Sequence, residues 1–258
     1  MQHSSSSNQW DFLRQIVTLI AIILAFIVNV ASNIFPLNGL TIGQISNTLF
    51  KEVLIIPANY AFIIWGLIYL GLFAFATYQV LPNQRNNPDL RKIGYFLVIA
   101  SIAQSIWVYL FSFRLFTLSV VAMLVILLPL IATYLHLGTS KTAISRVKRW
   151  CVHYPMGIYL GWISVATVVN VACALYAQNW NGWGIPDQAW TVIMMLVAAA
   201  ISIVTIFQNR DLTYTGVTIW ALIAIAIKNW ENHIIMIVAL LCVTALVIIS
   251  LFKNLKRA

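Results

Sequence analysis

The sequence predicts an all-α, polytopic membrane protein: a bundle of about eight transmembrane helices. Three observations predict this fold class. Of 258 residues, 62% are hydrophobic and only 8% are charged, whereas soluble domains carry about 25% charged residues. The mean hydropathy is +0.91. The apolar residues also form runs of roughly 20 residues, the length that a helix needs to cross the hydrocarbon core of a bilayer.

Eight apolar runs have this character. The first is too long for the core of a signal peptide, and no small-residue cleavage site follows it. The third and fourth are joined by a tight turn at Arg114, and the seventh is the shortest of the eight. The serine-rich segment before the first run is expected to be an unstructured tail. The predicted spans are 16–36, 60–81, 93–113, 115–136, 155–177, 189–207, 212–228 and 232–252.

The distribution of cations supports an even number of spans. If the spans alternate in direction, twelve of the 15 Lys and Arg residues lie on one side, and only Lys51, Arg114 and Lys228 lie on the other. Cytoplasmic loops carry the excess of Lys and Arg. We therefore expect a multi-pass protein of a bacterial inner membrane with both termini in the cytoplasm and membrane lipid as its surroundings.

Several functions are disfavoured by what the sequence lacks. The cations form short patches between apolar runs, which indicates lipid contact and topology and not nucleic-acid binding. Cys151, Cys173 and Cys242 are far apart and form no CxxC pair, so no metal site or disulfide framework is expected. No hydrolase or nucleotide-binding motif is present, and no charged residue lies well inside a span. We predict no catalytic residues, no metal and no cofactor.

Three polar and aromatic groupings lie within the spans. In the second span, Trp65 and Tyr69 are four residues apart and share a helix face. They follow the proline-marked segment that holds Asn59 and Tyr60. In the third span, Gln104 lies near Trp107. The alternative interpretation is structural, because Trp often anchors a span at the membrane interface and amides often only link neighbouring helices.

The fifth span contains the third grouping. Trp162, Ala166 and Asn170 repeat every four residues and form one stripe along the helix. The small Ala166 leaves a notch between an indole donor and an amide, which suits a flat and largely apolar ligand. Gly157 and Gly161 form a GxxxG motif, which favours either a homodimer or close packing within the chain.

These groupings, in this order, resemble the tryptophan-rich sensory protein family (TspO/MBR, also called translocator protein or peripheral-type benzodiazepine receptor). The segment from Pro57 to Tyr69 is similar to the family's second helix, although Ala58, Tyr60 and Ile64 stand where that motif has proline, tryptophan and proline. Gln104 and Trp107, which aromatic residues follow, are similar to the family's third helix. The run from Pro155 to Asn170 is similar to its fifth helix.

The resemblance implies a receptor, sensor or carrier that binds a tetrapyrrole or sterol-like molecule within the bundle, under a loop at about 37–56. An apolar small molecule such as a porphyrin and a second copy of the chain are the implied partners. Tryptophan-dependent porphyrin breakdown is the weaker, enzymatic implication. The ligand-binding residues it implies are Asn59, Tyr60, Trp65, Tyr69, Gln104, Trp107, Trp162, Ala166 and Asn170.

The resemblance also divides the chain. Residues 1–15 are predicted to be a cytoplasmic tail, residues 16–180 a TspO-like five-helix membrane domain, and residues 181–258 a three-helix membrane extension with a short basic tail. The extension could cap the bundle, form a dimer contact or build a second cavity. A permease-like subunit of a transport or export system is the alternative function, because eight spans without coupling residues fit a part that is driven by a separate energy source.

Overall fold

The computed structural model describes residues 2–93, 95–138, 144–209 and 212–255, with the side chains of residues 9–208 and 212–253 within those ranges. Every secondary-structure element in these ranges is helical. The chain divides into two compact units, each made of two separate stretches. Unit 1 comprises Met1–Ile42 and Trp65–Leu160, and unit 2 comprises Gly43–Ile64 and Gly161–Ala258.

Each of the eight predicted spans corresponds to a helix. Six helices of the described part are long and apolar enough to cross a membrane, whereas Phe96–Ser112 and Leu212–Lys228 are shorter apolar helices of 17 residues each. A length of 17 residues is the lower end of the range that spans a bilayer. The α-helices are α1 Gln2–Ile34, α2 Ile42–Thr48, α3 Ile64–Val80, α4 Pro88–Ile93, α5 Phe96–Ser112, α6 Phe116–Gly138, α7 Arg146–Lys148, α8 Tyr154–Ala177, α9 Asp187–Asn209, α10 Leu212–Lys228 and α11 His233–Leu255.

The expectation of an unstructured N-terminal segment is wrong. The first helix begins at Gln2 and continues without a break into the first apolar run. No glycine or proline interrupts residues 2–34, so nothing in the sequence stops the helix from extending outward from its apolar part. Phe35 and Pro36 follow its last residue, in keeping with the tendency of helices to end before a proline.

Unit 1 is organised around α5, which packs against α1 and α6. The chain reverses between α5 and α6 through Arg114, whose φ is 62°. This confirms the tight turn predicted at that position. The left-handed conformation lets the amide of Leu115 donate to the carbonyl of Leu110 over 2.9 Å, which closes the end of α5 in the manner of a C-terminal helix cap.

Charged side chains tie the beginning of α1 to the segment around α4. Arg91 Nε donates to both carboxylate oxygens of Asp11, at 2.9 and 2.8 Å. These bonds raise the pKa of the Arg91 guanidinium above its ordinary value. Arg14 donates to the carbonyls of Leu90 at 2.9 Å and Arg85 at 3.2 Å. The cations in this part of unit 1 therefore also hold helix ends together.

Unit 2 is built on α9, α10 and α11, which pack against one another. The part of α8 that begins at Gly161 approaches α10 closely. A Cβ atom at Gly161 would lie 3.1 Å from the carbonyl oxygen of Tyr214 and 3.1 Å from Cβ of Val217. Gly161, the second glycine of the GxxxG motif, thus serves helix packing within the chain.

Gly161→Ala is expected to lower the midpoint of thermal unfolding, because the added methyl group meets the backbone of α10 and forces the two helices apart. We expect the free energy of unfolding to fall by about 1–3 kcal/mol. Unfolding can be followed by the reactivity of the buried thiols of Cys173 and Cys242.

Gly216→Ala is the matched control. A Cβ atom there meets nothing within 4 Å, so the better helix propensity of alanine should leave the midpoint unchanged or raise it. Equal destabilisation by both substitutions would contradict the close approach at Gly161.

Candidate functional site

The segment 54–63 of unit 2, which we name the strap, lacks regular α-helical structure and is bound along its length to α10. Its second half is a 3₁₀ helix, Asn59–Ile63. Pro57 marks the entry, and the strap residue Ala58 donates its amide to the carbonyl of Ala224 over 3.0 Å. The amide of Ala58 is not part of a regular helix, so a backbone carbonyl of α10 satisfies it.

Two further side chains, one in the middle of α10 and one on the residue that follows its end, complete this attachment. Trp220 donates its indole N–H to the carbonyl of Ala61 over 3.1 Å. Asn229 donates to the carbonyl of Leu54 over 2.9 Å. The ring of Trp220 also meets Tyr60 edge-on, with 5.0 Å between ring centroids and an interplanar angle of 90°. The strap is therefore bonded to α10 at three separate positions.

The strap also contacts Trp162, a residue of the fifth predicted span. Phe62 packs edge-on against Trp162, with ring centroids 5.8 Å apart and an interplanar angle of 85°. Trp162 is 2% exposed. Its indole nitrogen is buried and has no hydrogen-bond partner in the described part of the chain. A buried donor without an acceptor is rare in native proteins and calls for a physical explanation.

In unit 1, Gln104 presents a second buried group of this kind. The side chain is 1% exposed, and among the described residues neither its amide oxygen nor its amide nitrogen has a partner. It lies on α5, three residues before Trp107, which stacks on Phe111 at 5.2 Å. An amide with both atoms unpaired in an apolar helix carries a large desolvation cost.

Aromatic rings of unit 1 surround the beginning of α3. Trp65 and Tyr69 are in contact, with centroids 5.8 Å apart, which confirms that they share a helix face. Tyr159 also contacts Trp65, with ring centroids 6.3 Å apart. The hydroxyl of Tyr69 donates to the carbonyl of Ala25 over 3.1 Å, so this tyrosine has a structural partner in α1.

The nine residues predicted to bind a ligand fall in both units. Trp65, Tyr69, Gln104 and Trp107 belong to unit 1. Asn59 and Tyr60 are consecutive residues of the strap, and Trp162, Ala166 and Asn170 follow one face of α8, all in unit 2. Asn59 is exposed and accepts a hydrogen bond from Asn47 at 2.8 Å. A single pocket that contains all nine stays a prediction.

A cavity of about 50 Å³ lies within unit 2 between α8, α9 and α10. Binding pockets for drug-sized ligands measure about 300–1,000 Å³, so this cavity in its present form holds only a small group. None of the nine predicted residues lines it. Its walls are mainly apolar, with Ser164, Tyr214 and Thr218 as the hydroxyl-bearing members.

A comparison with protein families matches residues 15–252 to the model described as TSPO-like protein. The chain belongs to the TSPO-like protein family. No curated protein and no solved structure matches it. The matched region of this TSPO-like chain includes all three helices after residue 180, which the sequence analysis had treated as an extension.

Trp220 is a residue of this site that sequence reasoning missed. It sits in the middle of α10, whereas Trp150, Trp180, Trp183, Trp190 and Trp230 flank spans. A tryptophan far from both ends of a span cannot act as an interfacial anchor, and that position was the available signal. Phe62 was within the motif that carried the family resemblance but was not singled out.

Gln104→Leu tests whether the buried amide in the TSPO-like bundle is kept for a ligand. Leucine has a similar size and needs no hydrogen-bond partners. In the absence of ligand, the substitution should therefore raise the free energy of unfolding by about 1–3 kcal/mol, and with it the unfolding midpoint. It should also weaken binding of protoporphyrin IX, measured by tryptophan quenching.

The neighbouring substitution Ser105→Ala is the control. The hydroxyl of Ser105 donates to the carbonyl of Ser101 in its own helix, at 3.1 Å, so porphyrin affinity should be unchanged. A destabilised Gln104→Leu protein with normal affinity would show that the amide has a structural role.

Proposed function

We propose that this protein is a membrane receptor, sensor or carrier that binds a flat, largely apolar molecule of the tetrapyrrole or sterol-like class. Trp162 is the central residue of the proposed site, with Phe62 of the strap against its ring and Tyr60 two residues earlier on the strap. The observation that carries the proposal is the indole nitrogen of Trp162, which is buried and finds no acceptor among the described residues.

Energetics favour a ligand as the missing acceptor. Leaving a buried donor unpaired costs about 1–3 kcal/mol, and a membrane offers no water in its hydrocarbon core to satisfy it. A phenylalanine at this position would avoid the cost and still pack against Phe62. The presence of an indole is therefore explained if a bound molecule supplies an oxygen or nitrogen acceptor to this N–H group.

The surroundings of Trp162 suit an apolar molecule. Its contacts include the ring of Phe62, and aromatic faces bind flat ring systems by stacking and edge-on packing. No charged residue lies within the part of α8 that belongs to unit 2, from Gly161 to Ala177. A ligand with a polar edge and an otherwise apolar body is the class that this environment recognises.

The cellular location is part of the proposal. The protein is an integral multi-pass membrane protein, and the excess of Lys and Arg on one side of the alternating spans supports cytoplasmic termini in a bacterial inner membrane. A reporter phosphatase, active only outside the cytoplasm, should be inactive when fused after residue 258 and active when inserted at Gly182. The reverse pattern would overturn the orientation.

Trp162→Phe is expected to raise the Kd for protoporphyrin IX, measured by saturable quenching of tryptophan fluorescence, by about 5- to 150-fold, because it removes a buried donor whose bond to a ligand is worth about 1–3 kcal/mol. The titration uses purified protein in detergent, with correction for absorption by the porphyrin.

Trp230→Phe is the matched control, since Trp230 is 67% exposed and lies beyond the end of α10. It should leave the affinity unchanged. Quenching that never saturates, or that is equal in all three proteins, would mean that porphyrin only dissolves in the micelle.

A further inference from the structure

The second of the three long helices after residue 177, α10, was not part of the predicted site, yet it makes the contacts that hold the strap in place. Its attachments are spread over ten residues of the helix and its end, from Trp220 to Asn229. The bonded positions on the strap are Leu54, Ala58 and Ala61. Three bonds at regular intervals fix a segment much more firmly than one.

Access to the indole of Trp162 depends on a neighbouring segment. Trp162 is 2% exposed, so a ligand cannot reach its N–H group until something next to it moves. Phe62 of the strap packs on its ring. The cavity between α8, α9 and α10 is too small for a flat ring system, so a ligand that reached Trp162 would have to displace a neighbour such as Phe62.

We infer that Trp220 is a positioning residue of the ligand site: through its bond to Ala61 and its contact with Tyr60, it holds the strap closed over Trp162 and sets how often the strap opens for a tetrapyrrole or similar flat ligand. This inference rests on the proposed function. It assigns α10, one of the three helices beyond the five-helix plan, a role in ligand exchange.

The bond from Trp220 is well suited to such control because it is not part of regular helix structure. Breaking it leaves the hydrogen bonds within α10 intact and costs a single side-chain interaction. Opening of a segment by loss of a few contacts is the usual form of local unfolding in native proteins. The strap is the irregular segment that such an opening would release.

Trp220→Phe tests the inference, because phenylalanine keeps an aromatic ring opposite Tyr60 and removes the N–H donor. Hydrogen exchange of the ligand-free protein should show faster exchange of the strap amides, above all that of Ala58, by about fivefold. Stopped-flow quenching with protoporphyrin IX should show association and dissociation both faster by about fivefold, with Kd changed less than about twofold.

Asn229→Ala provides a second variant that does not depend on the folding of the first. It removes the bond to Leu54 at the other end of the strap, and the same change in exchange and in both rates is expected. Trp230→Phe, at the next residue but outside the attachment, should match the wild type in every readout.

The outcomes separate the inference from the function on which it rests. Unchanged strap exchange in Trp220→Phe overturns the inference, and so does a faster dissociation with unchanged association, which would make Trp220 a direct ligand contact. A lowered unfolding midpoint with wild-type exchange and rates overturns it as well. Faster strap exchange in a protein whose wild type binds no porphyrin supports the attachment and overturns the proposed function instead.

Discussion

The attachment of the strap to α10 follows from one constraint: in a lipid environment the peptide groups of an irregular segment must be satisfied by protein. Non-helical backbone at membrane depth is tolerated only where it is buried in protein or lines a cavity. Here α10 supplies a backbone acceptor for Ala58, an indole donor for Ala61 and an amide donor for Leu54. The irregular strap requires α10, and the close approach at Gly161 brings α10 against α8, the helix that carries Trp162.

Because of the same constraint, a buried polar side chain without a hydrogen-bond partner is informative. The strap shows that this chain supplies partners for polar groups even at positions where the helix pattern fails. Against that background, the buried indole nitrogen of Trp162 and the buried amide of Gln104 have none among the described residues. Polar residues within membrane spans carry a cost and tend to be functional. Trp162 and Gln104 lie in different units, and a bound molecule that offered a hydrogen-bond partner to either side chain would offset its desolvation cost.

Local patterns were sufficient to predict the helices and insufficient to predict their partners. Apolar runs locate all eight spans because length and hydropathy are properties of a single segment. The contact of Trp65 with Tyr69 also follows from spacing alone. The bond between Trp220 and Ala61 joins residues 159 positions apart, and no periodicity encodes such a pairing. The serine-rich beginning of α1 was mispredicted because its composition was considered without the helix that follows it. The second predicted span began at residue 60, although a 3₁₀ helix occupies Asn59–Ile63 and α3 begins only at Ile64.

The most direct test of the central claim observes the indole N–H of Trp162 itself. Nuclear magnetic resonance of protein labelled with ¹⁵N at its ten tryptophan indoles can follow each N–H group during titration with protoporphyrin IX, with Trp162 assigned from the signal that disappears in Trp162→Phe. An N–H proton that gains a hydrogen bond moves downfield, so the account predicts a saturable downfield shift of the Trp162 signal. A Trp162 signal that stays in place while exposed indoles such as those of Trp183 and Trp230 shift would contradict it.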